Sequence, residues 1–368
     1  MSDPTVKRLL ESAVADPAAE QRAWAVVEAA YAERVPVVRP RRLRVAVAVA
    51  AVAAAAVAAV VSAPGRAVVD AVRKSIGIEH AQPALFRLPT SGRVLVSGAG
   101  GAWVVAADGS TRRLGSYTEA SWSPHALYVL AASRDELAAL EPGGTIRWTL
   151  ARSDVRFPRW GGSRTDTRVA YLSGTTLHVV AGDGTGDAPL GPAALVAPAW
   201  RPGDRHVLAY VTAHGSVVVR DTDARTTAPL PGTYGTPRSL TWSPDGRTLV
   251  LATAATLVRF DVAARVAHRL PVRNASAVAF SGSGRLAVLR GSSVLLVEGG
   301  RPVTLFATSA PLAGLAWSPD SRWLLTGLPA ADQWIFVQAR GGRRVLAVSH
   351  VRGQFGGAPQ LDGWATAP

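Results

Sequence analysis

The chain contains no cysteine. Disulfide scaffolds, thiol catalysis and cysteine-ligated zinc or iron–sulfur sites are therefore excluded together. The compartment is not identified by this, because an exported protein can do without disulfides. Lysine is almost missing: Lys7 and Lys74 are the only two, so arginine carries nearly all the basic charge behind the formal +14. Arginine is spread along the whole length rather than gathered in blocks, which argues for an arginine-rich surface over a nucleic-acid-binding tail. Nucleic acid is not an expected partner.

The recognisable signatures of chemistry are missing too. The histidines are His80, His125, His178, His206, His214, His268 and His350, and none stands at metal-ligand spacing from another. His206 and His214 read as ordinary strand residues flanking a hairpin. There is no HExxH and no GxSxG, and GAGGAW at 98–103 is not followed by the Lys-Ser/Thr of a phosphate loop. Asp183-Gly-Thr-Gly-Asp187 lacks the spacing and closing Glu of a calcium loop and falls where a hairpin turn belongs. No cofactor, no metal and no catalytic residue is assigned, and the chain is not read as an enzyme. Carboxylates from matching repeats could converge on a central channel, but no pair singles itself out.

What the chain does contain begins with an uncharged run. Residues 45–65, VAVAVAAVAAAAVAAVVSAPG, lie between Arg44 and Arg66. As a helix the run would be about 31 Å long, enough to cross a bilayer. It has no polar face, which a soluble helix of that length should show. Arg39, Arg41, Arg42 and Arg44 crowd its N-terminal side and place that end in the cytoplasm. The expected organisation is a cytoplasmic tail (1–43), a transmembrane helix (44–65), a juxtamembrane helix and linker (66–92) and an extracytoplasmic domain (93–368). Within the tail, Asp16-Pro17 reads as an N-cap and first helical residue. Ala23, Trp24, Val27, Ala30 and Tyr31 then recur at helical spacing. This amphipathic helix, residues 17–34, has three candidate partners for its apolar face, the membrane surface, a copy of itself or a cytoplasmic protein, and its mixed charge favours the protein over lipid.

The remainder repeats. Trp242-Ser-Pro-Asp-Gly246 followed by alternating apolar residues has relatives anchored at Trp122, Trp160, Trp200, Phe280 and Trp317, and successive anchors lie 38, 40, 42, 38 and 37 residues apart. Periods near 40 with turn-separated strands mark a propeller. A second ladder of hairpin turns has seven members, the first of them (104–114) with no anchor strand before it. The missing anchor is supplied at the end of the chain by GAPQLDGW, 357–364, with Trp364 as its aromatic. The expected fold is all-β, a seven-bladed β-propeller closed by the C-terminal strand. Six blades with a C-terminal tail is the alternative. The aromatics fill the wedge between sheets, and Pro, Asp and Gly suit the turn that follows.

These Trp-Ser-Pro-Asp-Gly copies resemble the propeller repeats of TolB-type and WD40-like bacterial proteins, over roughly residues 93–364. No copy has the Gly-His start or Trp-Asp end of eukaryotic-type WD40 repeats. The resemblance implies an exported module that binds protein or glycan. The expected function is a membrane-anchored, single-pass, extracytoplasmic propeller that binds a protein or an anionic envelope polymer. The layout of tail, span and outer domain is also that of a membrane-bound anti-sigma factor, which would relay binding to a cytoplasmic partner. The alternative is a cell-envelope hydrolase or lyase acting on a glycan at the propeller mouth.

Overall fold

Short apolar runs punctuated by Gly, Pro, Asn and Asp fold into hairpins, and each group of four strands forms one antiparallel sheet. A computed structural model describes residues 78–82, 87–203, 205–342 and 344–366. Within them lie seven sheets, six four-stranded and one five-stranded. In each blade the strands are named a to d from the centre outward. The a strands of blades 2 to 7 are Glu119–Trp122, Val155–Gly162, Ala199–Trp200, Pro237–Trp242, Ala275–Phe280 and Ala313–Trp317. Each is followed in sequence by its own b, c and d strands.

Blade 1 is built from both ends of this region. Its b, c and d strands are Arg93–Ser97, Ala102–Val105 and Thr111–Gly115, and its a strand is Gln360–Ala365. The closing pair is antiparallel, with Val94 opposite Trp364. Neighbouring a strands touch in the order of blades 1 to 7 and back to 1, so the ring is closed. The six-bladed alternative is thereby excluded. Closure leaves no open end of the ring to recruit another sheet.

The middle strands are apolar on both faces because each sheet is sandwiched between two others. Strand Val129–Ala132 is buried throughout, as is Gln333–Gln338. The d strands carry the polar residues: Thr111–Gly115 exposes Thr111, Arg112 and Arg113. Buried apolar side chains gather into seven clusters, each bridging two neighbouring blades, one per seam. Alternation explains this. Val94 and Val96 point into the seam with blade 7, while Leu95 between them points into the seam with blade 2. The seam between blades 7 and 1 is rich in aromatics: Trp323, Trp334, Phe336, Phe355 and Trp364. Phe355 ends a short helix, Val351–Phe355, that bridges the last blade to the closing strand. Its ring lies edge-on to Trp103 of blade 1 and stacks on Trp334 of blade 7.

Within the stretch expected to be linker, Ile78–Gln82 forms a strand that pairs in parallel with Val345–Ser349 on the outer edge of blade 7. The expected cytoplasmic helix and the transmembrane run at 44–65 lie outside the described residues. Among the described residues, no helix is long and apolar enough to cross a membrane.

Candidate functional site

The seven anchor aromatics stand at the seven seams. Trp160, Trp242, Trp317 and Trp364 are buried, and Trp122, Trp200 and Phe280 are partly buried. Three of them make one recurring contact. The indole N–H of Trp200 donates to the carbonyl of Arg159 at 3.1 Å, that of Trp242 to Ala199 at 3.0 Å, and that of Trp317 to Ala279 at 3.1 Å. Each acceptor is the residue just before the anchor of the preceding blade, so each indole clamps its sheet to the one before it. Arg201 lies over Trp242 and Arg285 over Trp317, adding a cation–π contact at two of these seams.

The turn after the anchor has a pivot that the repeat pattern alone did not single out. In blade 5 the Ser243 hydroxyl accepts the Thr248 N–H at 2.9 Å and donates to Asp245. Blade 7 repeats this with Ser318, Trp323 and Asp320. In blades 2 and 6, Ser123 accepts from Tyr128 N–H and Ser281 from Arg285 N–H. The signal was present in the sequence: serine follows the aromatic in these four copies, while the residues at the Pro, Asp and Gly positions vary. Hydrogen bonds from the Ser243 hydroxyl and then the Arg247 N–H hold the Asp245 carboxyl below its usual range. These residues are spent on turn geometry.

Chemistry of another kind gathers in the channel. Asp362 of blade 1, Glu119 of blade 2 and Arg159 of blade 3 lie on consecutive a strands. Glu119 Oε2 accepts the backbone N–H of Phe157, whose φ of 52° is left-handed. This is a conformation that a bulky residue adopts only when its surroundings enforce it. Asp362 sits where the register of the closing pair shifts between Leu361 and Gly363. Gln360 donates to Asp362 Oδ1 at 3.3 Å, while Oδ2 is covered. Burial pushes the Asp362 carboxyl up to about 8, and the Glu119 charge adds to the shift. Ser97, Arg159 and Gln360 oppose it. Burial also raises Glu119, against the Phe157 N–H and the charges of Arg159 and Arg156. Burial lowers Arg159, against the pull of Asp362 and Glu119. At neutral pH the cluster therefore holds the Arg159 guanidinium and a largely protonated Asp362 carboxyl beside Glu119.

Above Glu119 the channel opens on the face that carries the b–c and d–a connections. A depression of about 490 Å³ there is lined by Thr118, Glu119, Arg134, Asp154, Val155 and Arg156. Asp154 and Arg156 pair at 2.9 Å at this rim.

The other polar candidates are structural joints. His206 and His214 are not strand residues as expected: His206 immediately precedes the strand Val207–Val211, and His214 lies in the turn that follows it. His206 is buried and bridges two blades through Asp223 of blade 4 and the Asp166 carbonyl of blade 3. Asp183 caps a hairpin turn by accepting the N–H and hydroxyl of Thr185. Asp187 turns inward to Tyr171 and Arg152, tying blade 2 to blade 3. Burial, and then Asp187, raise the Tyr171 hydroxyl well above its usual range. Among the described residues no group of His, Asp and Glu is arranged to hold a metal ion.

With this geometry in hand, the chain can be compared with known proteins. The WD domain, G-beta repeat family matches residues 300–337. That stretch runs from the d strand of blade 6 into the c strand of blade 7, the same offset between repeat and blade that lets the C-terminal strand close blade 1. The chain is a seven-bladed propeller with a WD-type repeat. Among solved structures it is similar to the Myceliophteria thermophila Cps50 (Swd1) beta-propeller domain. The identity is 12%, the TM-score is 0.51, and 66% of this chain and 93% of that one are covered. It also aligns with Kuenenia stuttgartiensis hydrazine synthase at 15% identity and a TM-score of 0.48, over 60% and 75% of the two chains. No curated protein matches the chain.

Proposed function

We propose that this propeller is a protein-binding module whose contact surface is the channel mouth on the face of the b–c and d–a connections. One observation carries the reading. Opposite charges from neighbouring blades, Glu119, Arg134, Asp154 and Arg156, ring a depression on a closed and therefore rigid scaffold. Residues 44–65 would hold the module at a membrane with the propeller outside. Residues 17–34 would carry the response to a cytoplasmic partner, in the manner of an anti-sigma factor. The test is site-specific photo-crosslinking in cells from position 118, in the wild-type chain and in Arg134→Glu/Arg156→Glu. Protein adducts that disappear in the charge-reversed chain are expected. The absence of any protein adduct from the wild type sinks the proposal.

A second reading, an envelope hydrolase or lyase, draws on the convergence of Glu119 and the protonated Asp362 beneath the same mouth. A pair of carboxyl groups with one held protonated is what acid–base cleavage of a glycan uses. Under this reading Glu119→Gln and Asp362→Asn each abolish release of sugar fragments from purified envelope glycan. No such release by the wild type dismisses it.

A further inference from the structure

The opposite face, bearing the a–b and c–d turns, has a cleft of its own at the seam of blades 2 and 3. Its volume is about 400 Å³, and Tyr128, Trp148 and Trp160 form its walls. The seam is built differently from the clamped ones. The Trp160 ring is stacked on Tyr128, with centroids 5.7 Å apart and planes 19° from parallel. Its Nε1 is buried and donates to nothing. Neither Arg201 nor Arg285, which cover Trp242 and Trp317, has a counterpart among the cation–π contacts at Trp160. The facing wall is fixed. Trp148 Nε1 donates to the Gly182 carbonyl at 2.8 Å, and a β-carbon at Gly184 would come within 2.8 Å of the Trp148 ring.

The rim is cationic. Arg147 and Arg164 line it, against a single acid, Asp183, whose carboxylate is already engaged by Thr185. Arg147 shares its charge with Glu141 at 3.3 Å, an exposed and weak pair. Arg164 makes no hydrogen bond or ion pair among the described residues, and it sits on an exposed turn. A preformed aromatic slot with an unspent guanidinium at its edge complements an apolar side chain next to a carboxylate. The volume suits a few side chains rather than a folded surface.

We propose that this cleft takes an acidic peptide segment of a partner protein. A carboxylate would pair with Arg164, and an adjacent aromatic or aliphatic side chain would enter between Trp148 and the Tyr128–Trp160 stack. The site lies on the face opposite the channel mouth, so it stands or falls separately from the contact surface proposed there. The seam of blades 5 and 6 provides an internal control. Its cleft of about 450 Å³ has Phe280 and Gly282, Gly284, Gly299 and Gly300 among its lining residues, with Arg259.

The test is fluorescence anisotropy with the full-length chain and a short fluorescein-labelled peptide of alternating acidic and phenylalanine residues. Binding should weaken on the order of 10- to 100-fold in Arg164→Glu and clearly in Trp148→Leu, and stay unchanged in Arg259→Glu. Arg164→Glu should melt like the wild type, because its side chain bonds to nothing in the fold. Equal binding of a peptide with lysine in place of the acids overturns the proposal, as does undiminished binding by Arg164→Glu or equal loss in Arg259→Glu. Equal affinity for an acidic peptide without phenylalanine, with displacement by polyphosphate, also overturns it and points to an anionic polymer instead.

Discussion

Asp362 should make the closure of the ring pH-dependent. Its carboxyl is raised to about 8 in the fold, from an ordinary value of 3.8. The folded chain therefore keeps a proton that the unfolded chain releases. The sign follows from that: stability is complete below pH 4 and falls as pH rises toward 8, by at most about 1.4 kcal/mol per pH unit. The full shift corresponds to about 6 kcal/mol. Asp362 is partly reachable from the channel, and solvent there should reduce the loss to about 3 kcal/mol. Glu119, also raised, contributes in the same direction, whereas Arg159 remains a cation throughout and opposes both. Asp362→Asn has the shape of the protonated acid and cannot ionise. The wild type should match this variant below pH 4 and melt about 6 °C below it at pH 9, at about 2 °C per kcal/mol for a domain of this size. Calorimetry of the full-length chain at both pH values measures the difference. Parallel pH profiles, or a variant less stable than the wild type at pH 9, would refute the reasoning.

Two further changes test the seams. Trp242→Phe removes the indole donor to Ala199 but keeps the ring, and should cost about 1 kcal/mol in urea unfolding, whereas Trp242→Ala should cost about 3–5 kcal/mol. Equal costs for the two would show that the hydrogen bond, not the buried ring, is what the position supplies. Gly161→Ala places a β-carbon 2.2 Å from Cγ of Trp200, at a glycine whose own backbone is not left-handed, so the penalty is steric. It should destabilise by about 1–3 kcal/mol, and a neutral result in the same assay would mean that Trp200 can move aside.

The ring itself was legible in the chain because its causes are local. A turn needs turn-forming residues, a half-buried strand needs alternation, and both recur at every blade whatever lies far away. The missing first anchor and the orphan Trp364 even foretold closure, because an unpaired edge strand and an unmatched hairpin at opposite ends call for each other. The serine pivot could also have been found, since serine follows the aromatic in four copies whose turns otherwise differ.

The channel cluster could not. Arg159, Asp362 and Glu119 stand one, two and three residues before their anchors, so no common register position flags them. Residue 362 meets residues 119 and 159 only because the last strand pairs with the first blade. The cleft between blades 2 and 3 was hidden for a similar reason. Trp160 looks like any other anchor in the sequence, yet in the fold it stacks on Tyr128 and leaves its N–H unclamped.

The sequence by itself thus determined an all-β propeller, its anchor positions and the turns that follow them, all consequences of short-range periodicity and burial, and it left six or seven blades open. Only the tertiary structure decided which seams are clamped, which open into clefts and which charges share the channel. Those depend on ångström-scale offsets between strands tens to hundreds of residues apart, where a single bulge or a rotated ring changes what touches what.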